Sequence, residues 1–156
     1  MKAAEVIEAG GILLRPPLGS FEDAIRALVD SLIARRQIGA DLRESTIRAV
    51  CDREELSSTA IVEIGVAVPH ARLAGVAGVV AALAASPHGI YHAMTGVPIS
   101  VVVLVCSAPD LIGEHLNMLA GVSMLLQSDP LRRALERAAD RATALRILRR
   151  DNGDNL

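Results

Sequence analysis

Four histidines are the most versatile groups in this chain, because an imidazole can attack through a ring nitrogen, donate a proton or ligate a metal. One of them stands in an unusual place. His70 follows Pro69 in the run Val-Ala-Val-Pro-His-Ala-Arg, residues 66–72. Proline drives the preceding Val68 toward extended backbone and has no N–H to give to a ladder. The pair therefore ends a buried strand and fixes how the chain enters His70. Sites in α/β proteins gather at strand ends, where such a ring meets a ligand. The alternative is a loop histidine that only satisfies a local hydrogen bond, and this short motif alone does not separate the two.

The other candidate groups are weaker. His88 and His92 have the H-x-x-x-H spacing that binds zinc on a helix, but Pro87 and Gly89 argue against a helix there and no acidic or cysteine ligand sits nearby. Cys106 closes an apolar strand, where burial raises a thiol pKa and blunts its reactivity, so a Cys–His hydrolase is not indicated. Cys51 and Cys106 do not make a disulfide framework and are read as reduced, structural thiols.

Composition narrows the class of function. The chain has 156 residues, enough for one domain with a sizeable core. Apolar residues make up 51%, with one Phe, one Tyr and no Trp, so the core must be aliphatic. There is no aromatic platform for stacking single-stranded bases. A net charge of −2 supplies no basic field for a phosphate backbone, which excludes nucleic acid as a partner. The longest apolar stretches, 75–85 and 97–106, fall short of the ~20 residues of a membrane helix, and the N-terminus lacks a signal-peptide core. The expectation is a cytoplasmic protein without membrane insertion.

These groups must be positioned by a scaffold. Gly10-Gly11 precede a short strand over 12–14, which Pro16-Pro17 terminate. Ser20 reads as an N-cap with Asp23 three residues on. Ala24, Leu28 and Leu32 then repeat every four residues, predicting a helix over 21–36. A second helix over 42–55 places Ile47, Val50 and Cys51 on one face. Apolar runs at 66–68, 79–84 and 99–106 predict strands; the β-branched last run suits a strand buried on both faces, whereas the middle one is alanine-rich. Residues 111–127 are apolar nearly all round, which predicts a well-buried helix. Ser128 caps another helix with Pro130 in its first turn and Leu131, Ala134, Leu135 and Ala138 inward. A last helix covers 142–149. The pattern is one α/β domain with helices packed on a sheet, over 1–150, and a frayed tail over 151–156.

Two further segments flank the histidine run: Arg53-Glu54-Glu55-Leu56-Ser57-Ser58-Thr59 before it and Glu114-His115-Leu116-Asn117-Met118-Leu119 after it. In order and spacing, "REELSSTAIVEIGVAVPHAR" and "EHLNMLAGVSMLL" resemble the enzyme IIA domain of the bacterial sugar phosphotransferase system, in its fructose–mannitol and nitrogen-regulatory class. The resemblance covers most of the chain and is far more specific than any one piece. It implies a three-layer domain with a mixed β-sheet flanked by helices. Ala60, Val62 and Glu63 stand where the family carries glycines, and Thr95 stands before Gly96 where an acidic residue is common; both bear on partner choice.

The resemblance also implies roles. His70 would accept a phosphoryl group from an HPr-like histidine phosphocarrier, which needs a neutral ring nitrogen with a free lone pair. A free imidazole, with a pKa of ~6.5, is mostly neutral in the cytoplasm. His115, early in the helix after Pro109, would donate one N–H to the phosphoryl oxygens; otherwise it is a packed histidine. Arg53 would clamp the phosphate with its planar fork; otherwise it ends a solvated helix. Arg72 reads as surface charge. No cofactor and no metal are implied. The partners would be the phosphocarrier and either a IIB domain or a regulatory target. The lone domain and its glycine-poor loop favour a nitrogen-regulatory-type switch, with a sugar-specific IIA component as the alternative.

Overall fold

The computed structural model describes residues 2–93 and 96–151. Thr95 and the tail beyond Asp151 lie outside the described residues.

Two seven-residue strands form the centre. β5 (Val79–Ala85) and β8 (Val101–Ser107) pair antiparallel along their whole length, from Val79 opposite Ser107 to Ala85 opposite Val101. β1 (Ile12–Leu14) lies parallel to β5 on one side. On the other side, β3 (Val66–Ala67) and β4 (His70–Arg72) both run parallel to β8, one after the other. β2 (Ala60–Ile61) finishes the edge antiparallel to β3. The sheet is therefore mixed, in the order β1-β5-β8-β3-β2 with β4 extending the β3 position. A separate two-stranded ladder joins β6 (Tyr91–His92) to β7 (Pro98–Ile99).

Side chains on β8 alternate between two cores, as the two-residue period of a strand requires. Val101, Val103 and Val105 pack under α1 (Ala3–Gly10), α4 (Ile112–Leu126), α5 (Asp129–Arg137) and α6 (Arg141–Asp151). Val102, Leu104 and Cys106 pack under α2 (Phe21–Ala34) and α3 (Arg43–Leu56). A strand covered on both faces has no solvent side, which is why its sequence is apolar without alternation. The result is a three-layer α/β domain of the expected kind.

Local signals explain most boundaries. The Ser20 hydroxyl accepts the Asp23 N–H at 3.0 Å and starts α2. The helix stops at Ala34, two residues early, because Arg36 takes a left-handed φ of 60° that a glycine usually marks. Ser128 caps α5 through the Leu131 N–H at 3.2 Å, with Pro130 in the first turn. Pro69 interrupts rather than ends the strand, and pairing to β8 resumes at His70, the Pro69 carbonyl still accepting the Val105 N–H at 3.0 Å. The 99–106 run is likewise divided, Ile99 pairing in β7 and β8 beginning at Val101. Asp151, assigned to the tail from sequence, is the last residue of α6.

Two expectations are corrected. The N-terminal segment, for which the sequence pattern predicted no element, is helix α1. Its Gly10 meets β5 so closely that a Cβ there would fall 1.6 Å from the Ala81 oxygen. The alanines of β5 make room for that approach. The last carbonyls of α1 have no partner within the helix, and each finds one elsewhere: Ile7 takes the Gly11 N–H, Glu8 takes Arg141, Ala9 takes Arg35 and Gly10 takes the Ser31 hydroxyl. Second, α4 is not buried all round. His115, Met118, Val122, Leu125 and Leu126 face inward, whereas Ile112, Leu116 and Met124 are 53%, 59% and 75% exposed. Its outer face is an apolar surface open to solvent.

Candidate functional site

The sequence-derived residues converge. Arg53, His70, Arg72 and His115 line one half-open cavity of about 360 Å³, bordered also by Ala49, Ala71, Ile112, Leu116 and Leu119. Three elements bring them there. Strand β4 carries His70 and Arg72 two residues apart, hence on one face, while Ala71 between them turns into the opposite core. The first turns of α4 carry His115, and the last turn of α3 carries Arg53.

The two imidazoles lie edge-to-face, with centroids 5.3 Å apart and planes at 64°. Their surroundings differ. His70 is half-buried, and its Nδ1 lies 2.9 Å from the Val68 carbonyl. A carbonyl can only accept, so Nδ1 carries the proton and Nε2 keeps its lone pair. The extended geometry that Pro69 imposes on Val68 turns that carbonyl to within reach of the ring. His115 is buried, with Nδ1 on the Ser107 hydroxyl. Burial, reinforced by the nearness of the His70 ring and of the Arg72 guanidinium, pushes its pKa down to about 4. At neutral pH it is an uncharged ring with a single N–H to offer.

Arg53 is half-buried, and one of its N–H groups donates to the Ser57 carbonyl at 3.2 Å, capping α3. The guanidinium has five N–H donors in all, and the rest of the fork borders the cavity. Its neighbour Glu54 organises the turn that follows: its carboxylate accepts the Thr59 N–H at 2.7 Å and both the Ser58 and Thr59 hydroxyls. That accounts for the Glu and the Ser-Thr pair of the sequence pattern as the clasp between α3 and β2. Arg72 is exposed, as expected of surface charge, yet it also lines the cavity, with one N–H on the Pro109 carbonyl at 3.3 Å. Its spacing of two from His70 was the available signal.

The remaining candidates lie elsewhere. His88 occupies a turn and His92 lies on β6, both exposed. Among the described residues no group of three or more His, Cys, Asp or Glu is placed to hold a metal ion. Cys106 is fully buried on β8, and burial pushes its thiol up to about 12, far from a reactive thiolate. A neutral nucleophilic nitrogen, a neutral N–H donor and two guanidiniums around one cavity form an arrangement suited to a phosphoryl group.

Comparison with known proteins agrees. The sequence model of the family described as "Phosphoenolpyruvate-dependent sugar phosphotransferase system, EIIA 2" matches residues 5–151. The chain belongs to this family. The fructose-specific EIIABC component of the phosphotransferase system of Bacillus subtilis (strain 168) is 28% identical over 149 residues, covering 95% of this chain. This chain spans 23% of that relative's length. Among solved structures, the nitrogen regulatory protein IIA-Ntr from Neisseria meningitidis shares the fold, with TM-score 0.79 and 24% identity over 93% of this chain and 97% of that one. So does a complex of enzyme IIAMtl with phosphorylated enzyme IIBMtl from Escherichia coli, with TM-score 0.70 and 17% identity over 90% and 94%. No described helix is long and apolar enough to cross a membrane.

Proposed function

We propose that this phosphotransferase-system IIA domain accepts a phosphoryl group on His70 Nε2 from an HPr-like phosphocarrier and uses it as a regulatory switch. The observation that supports the acceptor role is the 2.9 Å contact between Nδ1 of His70 and the Val68 carbonyl, which leaves Nε2 with the free lone pair. In the transfer, that lone pair forms the new N–P bond as the donor's N–P bond breaks, and the donor ring leaves with its electron pair. Arg53 and Arg72 balance the charge on the phosphoryl oxygens, and neutral His115 donates an N–H without adding charge. The exposed Ile112 and Leu116 border the cavity. About −1.5 to −2 charges placed beside that apolar rim change which partner surface it fits, which is how phosphorylation switches a docking face.

A second reading is favoured by the fructose-specific relative, which matches 95% of this chain: a sugar-specific component that passes the phosphoryl group to a IIB domain. The first experiment is incubation with enzyme I, the phosphocarrier and phosphoenolpyruvate, followed by mass mapping. A label on His70 is expected; a donor that labels a control IIA domain and leaves His70 bare would refute the proposal. The second presents the phosphorylated domain to IIB domains, and uses it and His70→Ala as baits for regulatory targets. Rapid, sugar-dependent loss of the label with identical bait partners would replace the switch by the carrier.

A further inference from the structure

We infer that Ser107 is a positioning residue for this phosphoryl transfer: its hydroxyl donates to Nδ1 of His115 and holds the ring's one proton on Nε2, toward the phosphoryl site. The inference rests on the acceptor role of His70 and adds a residue that works on the other imidazole.

The placement of Ser107 is rigid. It is the last residue of β8, fully buried, and it pairs with Arg72 of β4 on one side and Val79 of β5 on the other. Its own carbonyl accepts the Leu73 N–H at 3.0 Å. Strand alternation puts Ser107 on the same side as Val101, Val103 and Val105, the side covered by α4. Every other inward position of β8 on that side is valine, so a hydroxyl at this one is conspicuous. It meets Nδ1 of His115, itself buried on the inner face of α4.

A neutral imidazole has one proton, and the pair can share theirs in two ways. If Nδ1 carried the ring proton and donated to Oγ, the serine O–H would need an acceptor in a buried site. Among the described residues Oγ has no partner other than Nδ1. A buried donor left without a partner is strongly disfavoured. If the hydroxyl donates to Nδ1, both the serine O–H and Nδ1 are satisfied, and Nε2 keeps the proton at the cavity. The two rings then meet the cavity in opposite tautomers. His70 offers a lone pair at Nε2, because a backbone carbonyl takes its Nδ1–H. His115 offers an N–H at Nε2, because a hydroxyl occupies its Nδ1. One ring can receive phosphorus while the other stabilises the oxygens around it.

The test is nitrogen-15 NMR of the histidine rings, joined to phosphorylation rates, in the parent, Ser107→Ala and Ser107→Thr. The parent should show His115 protonated at Nε2. Ser107→Ala should let the tautomers mix and slow labelling of His70 about 10-fold, the scale of losing an orienting partner. Ser107→Thr, which keeps the hydroxyl on a strand that favours β-branching, should restore both. A parent His115 protonated at Nδ1, or a tautomer unchanged in Ser107→Ala, would overturn the assignment. The tautomers are read without any phosphoryl donor. A parent that is never labelled would therefore count against the acceptor role of His70, while the tautomer of His115 would still decide the role of Ser107.

Discussion

Two histidines share one cavity and differ in almost everything else. His70 sits on a three-residue strand, half-open, its Nδ1 tied to a backbone carbonyl two residues away. His115 sits on a fifteen-residue helix, buried, its Nδ1 tied to a side chain from the central strand. On the proposed function, the same side chain is made a nucleophile in one place and a neutral donor in the other. If so, the ring does not choose its role; the partner of its inner nitrogen does, and burial keeps His115 uncharged.

Replacing each histidine is the strongest way to break that comparison. His70→Ala should abolish the phosphoryl adduct altogether, measured by mass after incubation with the donor chain. His115→Ala should leave His70 the labelled residue but slow its labelling by roughly 100-fold, the usual scale for removing one preorganised donor. An adduct on His115 of the parent, with His70 bare, would exchange the two roles.

Acid probes the His115 ring without any partner. The unfolded chain binds a proton at His115 near ~6.5, whereas the folded site, facing His70 and Arg72, resists it down to about 4. Between those values the unfolded state holds more protons, so this contribution to stability is complete above the window and is lost as pH falls through it. The loss is about 3 kcal/mol at most. Denaturant titrations from pH 7 to 4 should therefore show the parent weakening more than His115→Asn; parallel curves would mean the ring protonates freely. The smallest effect is expected of Arg53→Lys, which keeps the charge but loses the fork. It should slow labelling roughly 10-fold, since a hydrogen bond to a charged group contributes about 1.5 kcal/mol, with unchanged thermal unfolding. Parent-like rates would make Arg53 only the cap of α3.

Much of this was legible in the sequence where a local signal and the tertiary environment agree. Ser20 with Asp23, Ser128 with Pro130 and the valines of β8 each announce an element that the fold then uses. The convergence of Arg53, His70 and His115 was legible only through the resemblance to the IIA family, because no local rule brings residue 53 to residue 115. What escaped had a physical reason. Helix α1 has no side-chain cap at its start and takes its C-terminal partners from α2 and α6, far along the chain. The apolar outer face of α4 reads as core, since composition cannot distinguish a buried face from one left for a partner. Ser107 lay just past the predicted strand, and only the fold sets it against His115.

The clasp on α1 bears on how the chain is made. Within this domain α1 emerges before the other elements, but the arginine that meets Glu8's carbonyl is residue 141, and Arg149 pairs with the Glu8 carboxylate. Ser31 and Arg35 arrive early and can hold the Gly10 and Ala9 carbonyls while the ribosome is still at work. The helix therefore waits, half-capped, until α6 of this domain has been made. Contacts this distant in sequence are the slow ones to close. A nascent chain stalled before α6 would leave the Glu8 carbonyl and carboxylate without their arginines, and the C-terminal turn of α1 should be cut by a protease more readily than in the finished domain.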